Sequence, residues 1–345
     1  MRVTIGILAA VVTATAQGAA ASEARRPAGT IVWEVRGEGQ SVAIVNPDGT
    51  GQRLVAPALF RGPSIISSFQ PMPSPDGTKV VFARQFSGDR GDTRLCIRKL
   101  RPPYRRAVCR LRDGRDSFHP VWAPDGDEIS FVRRRASRYT LAVAQPGRAR
   151  VRILTTLRRP RPQYPGTDTL LTQQAWSPDG SRLVFASGGD VFTVMRKGSR
   201  LRNLTRSPRV WDRAPAWSPD GTKIAWLRGG NVHVANADGS AKTRITSLRV
   251  TPKGPPVWAP RRDRLTLTFT AGEGLYVTRN GYYGPRRVGT FQSVRGYAWS
   301  PDASHLVVAT RFSHPAMWIV SADGKTRRRI LISPDDQSWA SLSWR

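Results

Sequence analysis

The residues of this sequence that could take part in catalysis are few and scattered. Its four histidines are isolated from one another: His119, His233, His305 and His314. The best candidate pair is Asp116 with His119, since a carboxylate close to an imidazole can orient the ring and assist proton transfer. The alternative is a hydrogen bond inside a loop, and we favour it. Because the histidines fall in different local patterns, we expect no metal site and no cofactor.

Familiar catalytic signatures are absent from the sequence. It contains no G-x-S-x-G pattern, no H-E-x-x-H motif and no cysteine–histidine spacing typical of a metal site. The sequence therefore predicts no catalytic residue and favours a protein that is not an enzyme. The alternative is a carbohydrate-active lyase, which would gather histidines or carboxylates together with arginines at one end of an axial cleft.

The chain is strongly basic, with 55 Lys and Arg against 24 Asp and Glu, and a formal net charge of +31. Such a field attracts polyanions. Only seven of the basic residues are Lys, and the arginines are spread along the chain with short clusters at residues 133–135 and 327–329. The excess has two explanations, an acidic ligand or a compositional bias, and we favour the second. The expected partner is a protein or an acidic polymer of the cell envelope, not nucleic acid.

The N-terminus has the pattern of a secretory signal peptide. A positive start at Arg2 is followed by an apolar stretch and by small residues that end near Ala21. The apolar stretch is shorter than the roughly 20 residues that a membrane-spanning helix needs. We therefore expect a signal peptide over residues 1–21 and a linker over 22–28. The mature chain would be exported to the periplasm, the cell wall or the medium, with no transmembrane segment.

A repeated motif organises the rest of the chain. Near copies of Trp-Ser-Pro-Asp-Gly recur along it, and Pro-Asp-Gly suits a hairpin turn because Gly accepts the positive φ that the turn requires. We assign the large Trp side chains to packing between repeats and the Asp side chains to the turns rather than to catalysis. The repeat residues are Trp122, Trp176, Trp217, Trp258, Trp299, Trp344, Asp76, Asp125, Asp179 and Asp220.

Short apolar runs separated by turns follow each motif, which predicts four strands per repeat, the unit of a propeller blade. Residues 31–35, 41–45 and 52–55 match the second, third and fourth strands of a blade without a first strand, and the segment ending at Trp344 supplies a first strand alone. The sequence therefore predicts an all-β, seven-bladed β-propeller of four-stranded antiparallel blades over residues 29–345. Its ring is closed by the C-terminal strand joining the N-terminal blade, which removes exposed sheet edges.

The repeats resemble the TolB-type WSPDG-repeat propellers of bacterial envelopes over residues 31–344. The resemblance implies the propeller fold. TolB carries an additional α/β domain before its propeller, so its envelope role and partner are not carried over. We expect an exported, monomeric binding or scaffold protein of the cell envelope or the extracellular space.

The binding site is expected on the face that carries the most variable loops, because binding residues are commonly on loops positioned by a rigid scaffold. These loops join the second strand of a blade to its third, and one blade to the next. They include residues 56–69, 85–92, 113–119, 157–173, 207–213 and 333–338. The candidate binding residues on this face are Phe60, Arg61, Asp116, His119, Trp211, Asp212 and Arg213.

Cys96 and Cys109 are predicted to form a disulfide bond. Residues 95–99 and 106–109 flank a turn whose centre lies midway between the two cysteines. The cysteines would then be opposite each other in an antiparallel hairpin, with Cβ atoms about 4.5–5.5 Å apart. An exported chain with two cysteines suits an oxidised bridge. The rival prediction is a pair of free thiols.

Overall fold

The protein is built from β-strands. The computed structural model describes residues 28–36, 39–61, 64–86, 92–102, 106–109, 115–148, 150–157, 174–207, 210–246, 254–261, 263–279, 283–310, 316–332 and 338–345. Within these ranges it has 29 strands and no helix, so none that could cross a membrane is found there. The all-β class is confirmed, whereas the predicted signal peptide lies outside the described residues.

The strands form seven antiparallel sheets, and each sheet is one blade. Blade 1 contains β1 (Ile31–Arg36), β2 (Gln40–Val45) and β3 (Arg53–Ala56); blade 2 contains β4 (Leu59–Arg61), β5 (Ser64–Pro73), β6 (Lys79–Gln85), β7 (Thr93–Lys99) and β8 (Val108–Cys109); blade 3 contains β9 (Asp116–Trp122), β10 (Ile129–Arg135), β11 (Arg138–Ala144) and β12 (Val151–Leu157); blade 4 contains β13 (Gln174–Trp176), β14 (Arg182–Ser187), β15 (Asp190–Met195) and β16 (Arg202–Asn203).

The remaining blades repeat this plan. Blade 5 contains β17 (Asp212–Trp217), β18 (Lys223–Arg228), β19 (Asn231–Asn236) and β20 (Thr243–Arg244); blade 6 contains β21 (Val257–Trp258), β22 (Leu267–Ala271), β23 (Gly274–Arg279) and β24 (Tyr283–Thr290); blade 7 contains β25 (Val294–Trp299), β26 (His305–Thr310), β27 (Ala316–Ser321) and β28 (Arg327–Ile332). Strand β29 (Ser338–Trp344) is the first strand of blade 1.

The chain ends close the ring. Strand β29 pairs antiparallel with β1, so that Trp344 lies opposite Ile31 and Trp339 opposite Val35. Each innermost strand contacts the innermost strand of the next blade, around the full circle from β29 through β5, β9, β13, β17, β21 and β25. The prediction of seven blades closed by the C-terminal strand is confirmed.

Two details of the predicted strand plan are wrong. The stretch 56–69 was expected to be a link, but it contains the short strand β4 and the start of β5, which pair with each other and make blade 2 five-stranded. The stretches 113–119 and 207–213 were also expected to be links, but β9 begins at Asp116 and β17 at Asp212. The innermost strands therefore reach further towards the loop face than the hydrophobic pattern indicated.

The core consists of seven apolar clusters, and each cluster joins two adjacent blades. The repeat Trp side chains belong to these interfaces and are at most 7% exposed. Three of their indole N–H groups donate to a carbonyl of the preceding blade's innermost strand: Trp122 to Met72 at 3.1 Å, Trp176 to Val121 at 3.2 Å and Trp258 to Ala216 at 3.1 Å. The accepting residue immediately precedes the Trp position of its own blade each time.

The Asp of the repeat stabilises its turn. In blade 4 the Ser177 hydroxyl donates to Asp179 Oδ1 at 2.5 Å, and the same oxygen accepts the Ser181 backbone N–H at 3.1 Å. Equivalent bonds from Ser74 and Thr78 lower the pKa of Asp76 to about 2. These carboxylates are therefore engaged in local hydrogen bonds.

The disulfide bond between Cys96 and Cys109 is confirmed. The two residues are register partners across β7 and β8, as the position of the turn required. Cys96 is fully buried, so the bond ties the short outermost strand of blade 2 to its packed neighbour.

Deleting the last six residues should open the ring. The deletion removes much of β29, and β1 would become an unpaired sheet edge that can associate with other chains. We expect oligomers or aggregates by light scattering and a lower melting temperature. A monomeric deletion variant that melts like the intact protein would contradict this account of closure.

A matched pair of substitutions tests the Trp hydrogen bond. Trp176 donates to Val121, whereas the buried indole N–H of Trp217 has no acceptor in the described part of the chain. A cation lies over each of the two rings. Trp176→Phe should therefore reduce the free energy of unfolding by about 1 kcal/mol more than Trp217→Phe. Urea denaturation measures the difference; equal losses would assign the Trp role to packing alone.

Candidate functional site

Three innermost strands carry the same backbone distortion near the loop face. Gln70, His119 and Ala214 have φ values of 55°, 54° and 54°, and each is followed by Pro and stands three positions before the repeat Trp site of its blade. The strand register shifts at this point in blades 2, 3 and 5. A left-handed conformation costs about 1–3 kcal/mol outside glycine and occurs preferentially at functional sites. We call these three positions the bulges. Because they stand at the same height in their strands, we take this height of the ring as the candidate site.

The bulges of blades 2 and 3 are joined by a pair of hydrogen bonds. The His119 backbone N–H donates to Gln70 Oε1 at 2.7 Å, and Gln70 Nε2 lies 3.0 Å from His119 Nε2. Because Gln70 Oε1 is the acceptor of the first bond, its amide nitrogen must be the donor of the second. His119 therefore presents a lone pair at Nε2 and carries its proton at Nδ1.

The same chain of hydrogen bonds extends into both neighbouring blades. Glu34 of blade 1 is 1% exposed and accepts the Gln70 backbone N–H at 2.9 Å. Gln174 of blade 4 donates its side-chain amide to the His119 carbonyl at 3.0 Å. The other amide atom, Gln174 Oε1, is buried and has no hydrogen-bond partner among the described residues. Since an orphaned buried acceptor is costly, this oxygen is a natural acceptor for a ligand hydroxyl.

His119 is kept neutral by its surroundings. Desolvation lowers its pKa to about 3, because the protonated ring would lose hydration that the packed strands do not replace. Phe118 lies edge-on to the ring at 5.5 Å. At neutral pH the residue is therefore an uncharged imidazole that can accept a proton when an anion is bound beside it.

Arginines stand behind the bulges at one repeated position. Arg84, Arg133 and Arg228 lie in the second strands of blades 2, 3 and 5, where the register places them opposite Ser68, Ser117 and Asp212. Arg84 Nε donates to the Ser68 hydroxyl at 2.8 Å, and Arg228 Nε lies 3.7 Å from Asp212. Burial lowers the pKa of both Arg84 and Arg133. This level of the ring is therefore positively charged and partly desolvated.

Arg213 is the cation best placed to meet a ligand. It precedes the bulge residue Ala214 in an innermost strand. It is half-buried and makes no hydrogen bond or ion pair in the part of the chain that the structure describes, and burial lowers its pKa. A partly desolvated guanidinium without a counter-ion binds a carboxylate strongly, because it can donate to both carboxylate oxygens at once.

The other sequence-predicted binding residues have different roles. Asp116 and His119 do not bond to each other: Asp116 pairs with Arg134 at 2.7 Å and accepts the Thr93 backbone N–H at 3.0 Å. Asp212 is fully buried, and it accepts hydrogen bonds from Ser207 and Trp226 at 2.7 and 3.2 Å. Desolvation raises the pKa of Asp212.

Trp211 is half-buried and lies over Gly189, where its ring would be in contact with any added Cβ. The side chains of Phe60 and Arg61 lie outside the described residues, although their backbone forms β4. Of the candidate residues on the loop face, we therefore retain His119 and Arg213, which lie in the innermost strands β9 and β17.

The remaining histidines do not join His119. His233 packs against Trp226 in blade 5, with its pKa lowered to about 4 by desolvation and by two nearby arginines, Arg228 and Arg244. His305 Nδ1 lies 2.7 Å from the Ser304 hydroxyl at a turn, and His314 is outside the described residues. Within the described ranges, no group of three or more His, Cys, Asp or Glu side chains is positioned to hold a metal ion.

The basic cluster at residues 327–329 makes contacts within the fold. Arg327 and Arg329 lie on the ring of Trp318 at 5.8 Å. Arg328 donates to the carbonyls of Pro47 and Asp48 in blade 1 at 2.9 and 3.1 Å. This cluster therefore contacts Trp318 and the closing blade, while its three side chains remain exposed.

Glu34, Gln70 and Gln174 were not among the candidate residues predicted from the sequence. One signal was available: Gln70-Pro71, His119-Pro120 and Ala214-Pro215 are the same dipeptide position in three repeats. Proline restricts the residue before it, so an X-Pro pair inside an innermost strand predicts an irregular backbone. Nothing in the sequence indicated that the Gln70 and His119 side chains would meet.

Comparison with known proteins supports the fold. No protein-family model matches the chain, and no curated protein sequence is similar to it. TolB from Acinetobacter baumannii is similar in structure, with a TM-score of 0.51 and 16% identity over 92% of this chain. The chain spans only 66% of that TolB structure. The resemblance to TolB-type propellers seen in the sequence is therefore confirmed for the fold.

Two enzymes are also similar in structure. An oligogalacturonate lyase in complex with manganese has a TM-score of 0.60 and 13% identity, over 88% of this chain and 85% of its own. The periplasmic gluconolactonase of Pseudomonas aeruginosa has a TM-score of 0.60 and 15% identity, over 92% of this chain and 98% of its own. Likeness at such identities establishes the shared propeller fold.

The expectation that the chain is not an enzyme is corrected by these comparisons. Among the similar structures with a TM-score above 0.5, five are titled as enzymes, two of them as putative 6-phosphogluconolactonases, and one is a TolB. The expectation had rested on the absence of linear motifs, and a site assembled from the innermost strands of several blades leaves no linear motif to find. No described cluster of side chains suits manganese here, so no step of a reaction is assigned to a metal.

The neutral state of His119 can be tested directly. The folded pKa of about 3 lies below the ordinary value of 6.5, so between these pH values the unfolded chain binds a proton that the folded chain does not. Stability should then fall as pH decreases from about 6.5 towards 3, and His119→Gln should make this loss shallower. Imidazole nitrogen NMR shifts should show neutral His119 at about pH 5; a titration midpoint near the ordinary value would contradict the assignment.

Proposed function

We propose that the chain is a carbohydrate-active enzyme, a lyase that cleaves an acidic oligosaccharide at the loop-face end of the axial channel. The observation that carries the proposal is the half-buried Arg213, which has no hydrogen-bond or ion-pair partner among the described residues. It immediately precedes the bulge residue Ala214, which occupies in blade 5 the position that the neutral His119 occupies in blade 3. Blade 4 stands between their two blades, and its Gln174 contacts the His119 carbonyl. A carboxylate binder and a proton acceptor on one ring are the two groups that β-elimination from a uronate needs.

In this proposal Arg213 binds the uronate carboxylate and stabilises the negative charge that develops there. The charge appears when the carbon next to the carboxylate loses its proton, and a positioned cation is effective in a partly desolvated site. The C–H bond breaks, a C=C bond forms, and the C–O bond to the departing sugar breaks. The departing oxygen takes a proton from solvent, so atoms and charge balance.

His119 Nε2 accepts the proton from carbon. The Gln70 amide must first release this nitrogen. Breaking that neutral hydrogen bond costs about 1 kcal/mol. A substrate carboxylate beside the ring raises the pKa of His119 from its unliganded value, since an opposite charge favours the protonated form. Gln174 Oε1 accepts a sugar hydroxyl and thereby orients the ring of the substrate.

The charge of the site favours a lyase over a lactonase. A sugar lactone is neutral at the group that reacts and gives Arg213 no anion to bind, whereas a uronate presents a carboxylate at the reacting unit. The desolvated Arg84 and Arg133 behind the bulges add positive potential at the same level. Such a field draws an acidic oligosaccharide to the channel.

The disulfide supports a location outside the cytoplasm, since such bonds persist in oxidising compartments. Export through a leader at residues 1–21, with a propeller domain over 29–345, stays part of the proposal. A periplasmic site would bring the enzyme to soluble oligosaccharides. A monomer suffices for this activity, because all the proposed groups belong to one ring.

Activity on uronate oligosaccharides tests the proposal. The purified chain should form an unsaturated product from oligogalacturonate or another uronate oligosaccharide, measured by ultraviolet absorbance. Arg213→Gln should lower kcat/KM by about 10²-fold, the usual effect of losing one group that stabilises developing charge. His119→Gln should lower kcat with KM nearly unchanged.

Arg261→Gln is the matched control, because Arg261 is an exposed arginine paired with Asp263 away from the ring of innermost strands. It removes the same charge and should leave kcat/KM unchanged. Hydrolysis of sugar lactones without elimination from any uronate would replace the proposal with a lactonase. An equal loss of activity in Arg261→Gln would attribute the effect of Arg213 to net charge.

A further inference from the structure

A positively charged cavity lies between blades 4 and 5, at the end of the molecule that carries the Pro-Asp-Gly turns. Its volume is about 410 Å³, and its walls include Arg182, Arg200, Arg202, Thr193, Met195 and Asp238. The guanidinium groups of these three arginines make no ion pair or hydrogen bond with the residues that the structure describes. We name this cavity the 4/5 groove.

The corresponding position between blades 3 and 4 is closed by ion pairs. Glu128 binds Arg152 at 2.6 Å and Arg196 at 2.8 Å. Arg196 also pairs with Asp125, so that it crosses from blade 4 to two carboxylates of blade 3. There the arginines are neutralised, and the long Arg196 side chain occupies the space between the blades.

The register shows which residues replace these in the 4/5 groove. Glu128 and Arg182 both stand one position before the partner of the repeat Trp. Arg152 and Arg202 occupy equivalent places in the outermost strands. Arg196 corresponds to Ala237, since each N–H bonds back to the first hairpin turn of its blade. One repeat later, the acid has become an arginine and the crossing arginine has become an alanine.

Arg182 also lacks the neutral partner that the next blade provides. In blade 5 the equivalent Lys223 donates to Asn236 Oδ1 at 2.5 Å. In blade 4 the register partner of Arg182 is Met195, which offers no such oxygen. Arg182 lies instead over the face of Trp217 at 5.3 Å, which holds its guanidinium at the groove.

The one carboxylate in the wall does not neutralise these charges. Asp238 accepts the backbone N–H and the hydroxyl of Ser240 at 2.9 and 2.6 Å, so it is engaged in its own turn. Arg202 acts on it only through a longer-range attraction, which is one of the causes that lower the pKa of Asp238. The groove therefore keeps an excess of positive charge over an apolar floor of Val194, Met195 and Ala237.

We propose that the 4/5 groove binds a phosphate or sulfate group carried by a small molecule. Guanidinium forks match the oxygens of these anions bidentately, and the apolar floor suits the part of the ligand that bears the anion. The site lies at the Pro-Asp-Gly end, away from the loop-face site, so it is independent of the lyase activity proposed above and stands or falls separately.

Calorimetric titration with pyrophosphate, and in parallel with sulfate, tests the site in the full chain. The decisive variant is Arg182→Glu with Ala237→Arg, which rebuilds the closed arrangement of blades 3 and 4. This double variant lowers the net charge by one. The control Arg244→Gln lowers it by the same amount, at an exposed arginine on the outermost strand of blade 5. We expect saturable binding that weakens at least tenfold, or about 1.4 kcal/mol, in the double variant and changes little in the control.

Equal weakening in both variants, or no saturable binding to the unaltered chain by either anion, would overturn the proposal. Thermal melting shows whether the double variant folds. If it does not, Arg182→Gln with Arg202→Gln gives the same answer, because it removes the two cations without adding a side chain. Preference for pyrophosphate over sulfate, or the reverse, identifies which anion the groove selects.

Discussion

The fold depends on contacts between neighbouring blades, since no blade can bury both of its faces alone. Each apolar cluster of the core is shared by two blades, and the repeat Trp adds a directional bond to this packing. Its indole N–H reaches the innermost strand of the preceding blade at Met72, Val121 and Ala216. This bond sets the distance and the height of one innermost strand relative to the next. At Trp217 and Trp299 the indole N–H has no acceptor among the described residues, so those two interfaces depend on packing.

With the innermost strands held in this way, small irregularities within them become chemically useful. The left-handed residues Gln70 and His119 interrupt the ladder just above the Trp level, and each is locked by a following Pro. Their strain persists because the surrounding blades are packed on both sides. The bulges bring Gln70 and His119, from different blades, into one hydrogen-bonded pair. Hydrogen bonds from Gln70 to Glu34 and from Gln174 to the His119 carbonyl hold this pair on both sides.

Repetition gives the protein equivalent positions that single substitutions can convert from structural to functional. A second-strand Arg bonds to a hydroxyl in blade 2 and stands near a buried carboxylate in blade 5. Glu128 closes one interface with ion pairs, whereas Arg182 at the equivalent place leaves the next interface open and charged. The backbone is nearly the same at both positions, so the difference lies in side-chain size and charge alone.

Local residue types were sufficient to determine the fold, because turn chemistry and the repeat Trp act within one blade or on its immediate neighbour. The seven blades, the closing strand at Trp344 and the Cys96–Cys109 bond all follow from spacing along the chain. The site required tertiary structure. Gln70 and His119 are 49 positions apart, and Gln174 is 55 beyond His119; only ring closure brings them together. Asp116 is only three residues from His119, but it pairs with Arg134 instead. The pleat of the strand and its bulge determine where each side chain points, so closeness in sequence does not predict contact.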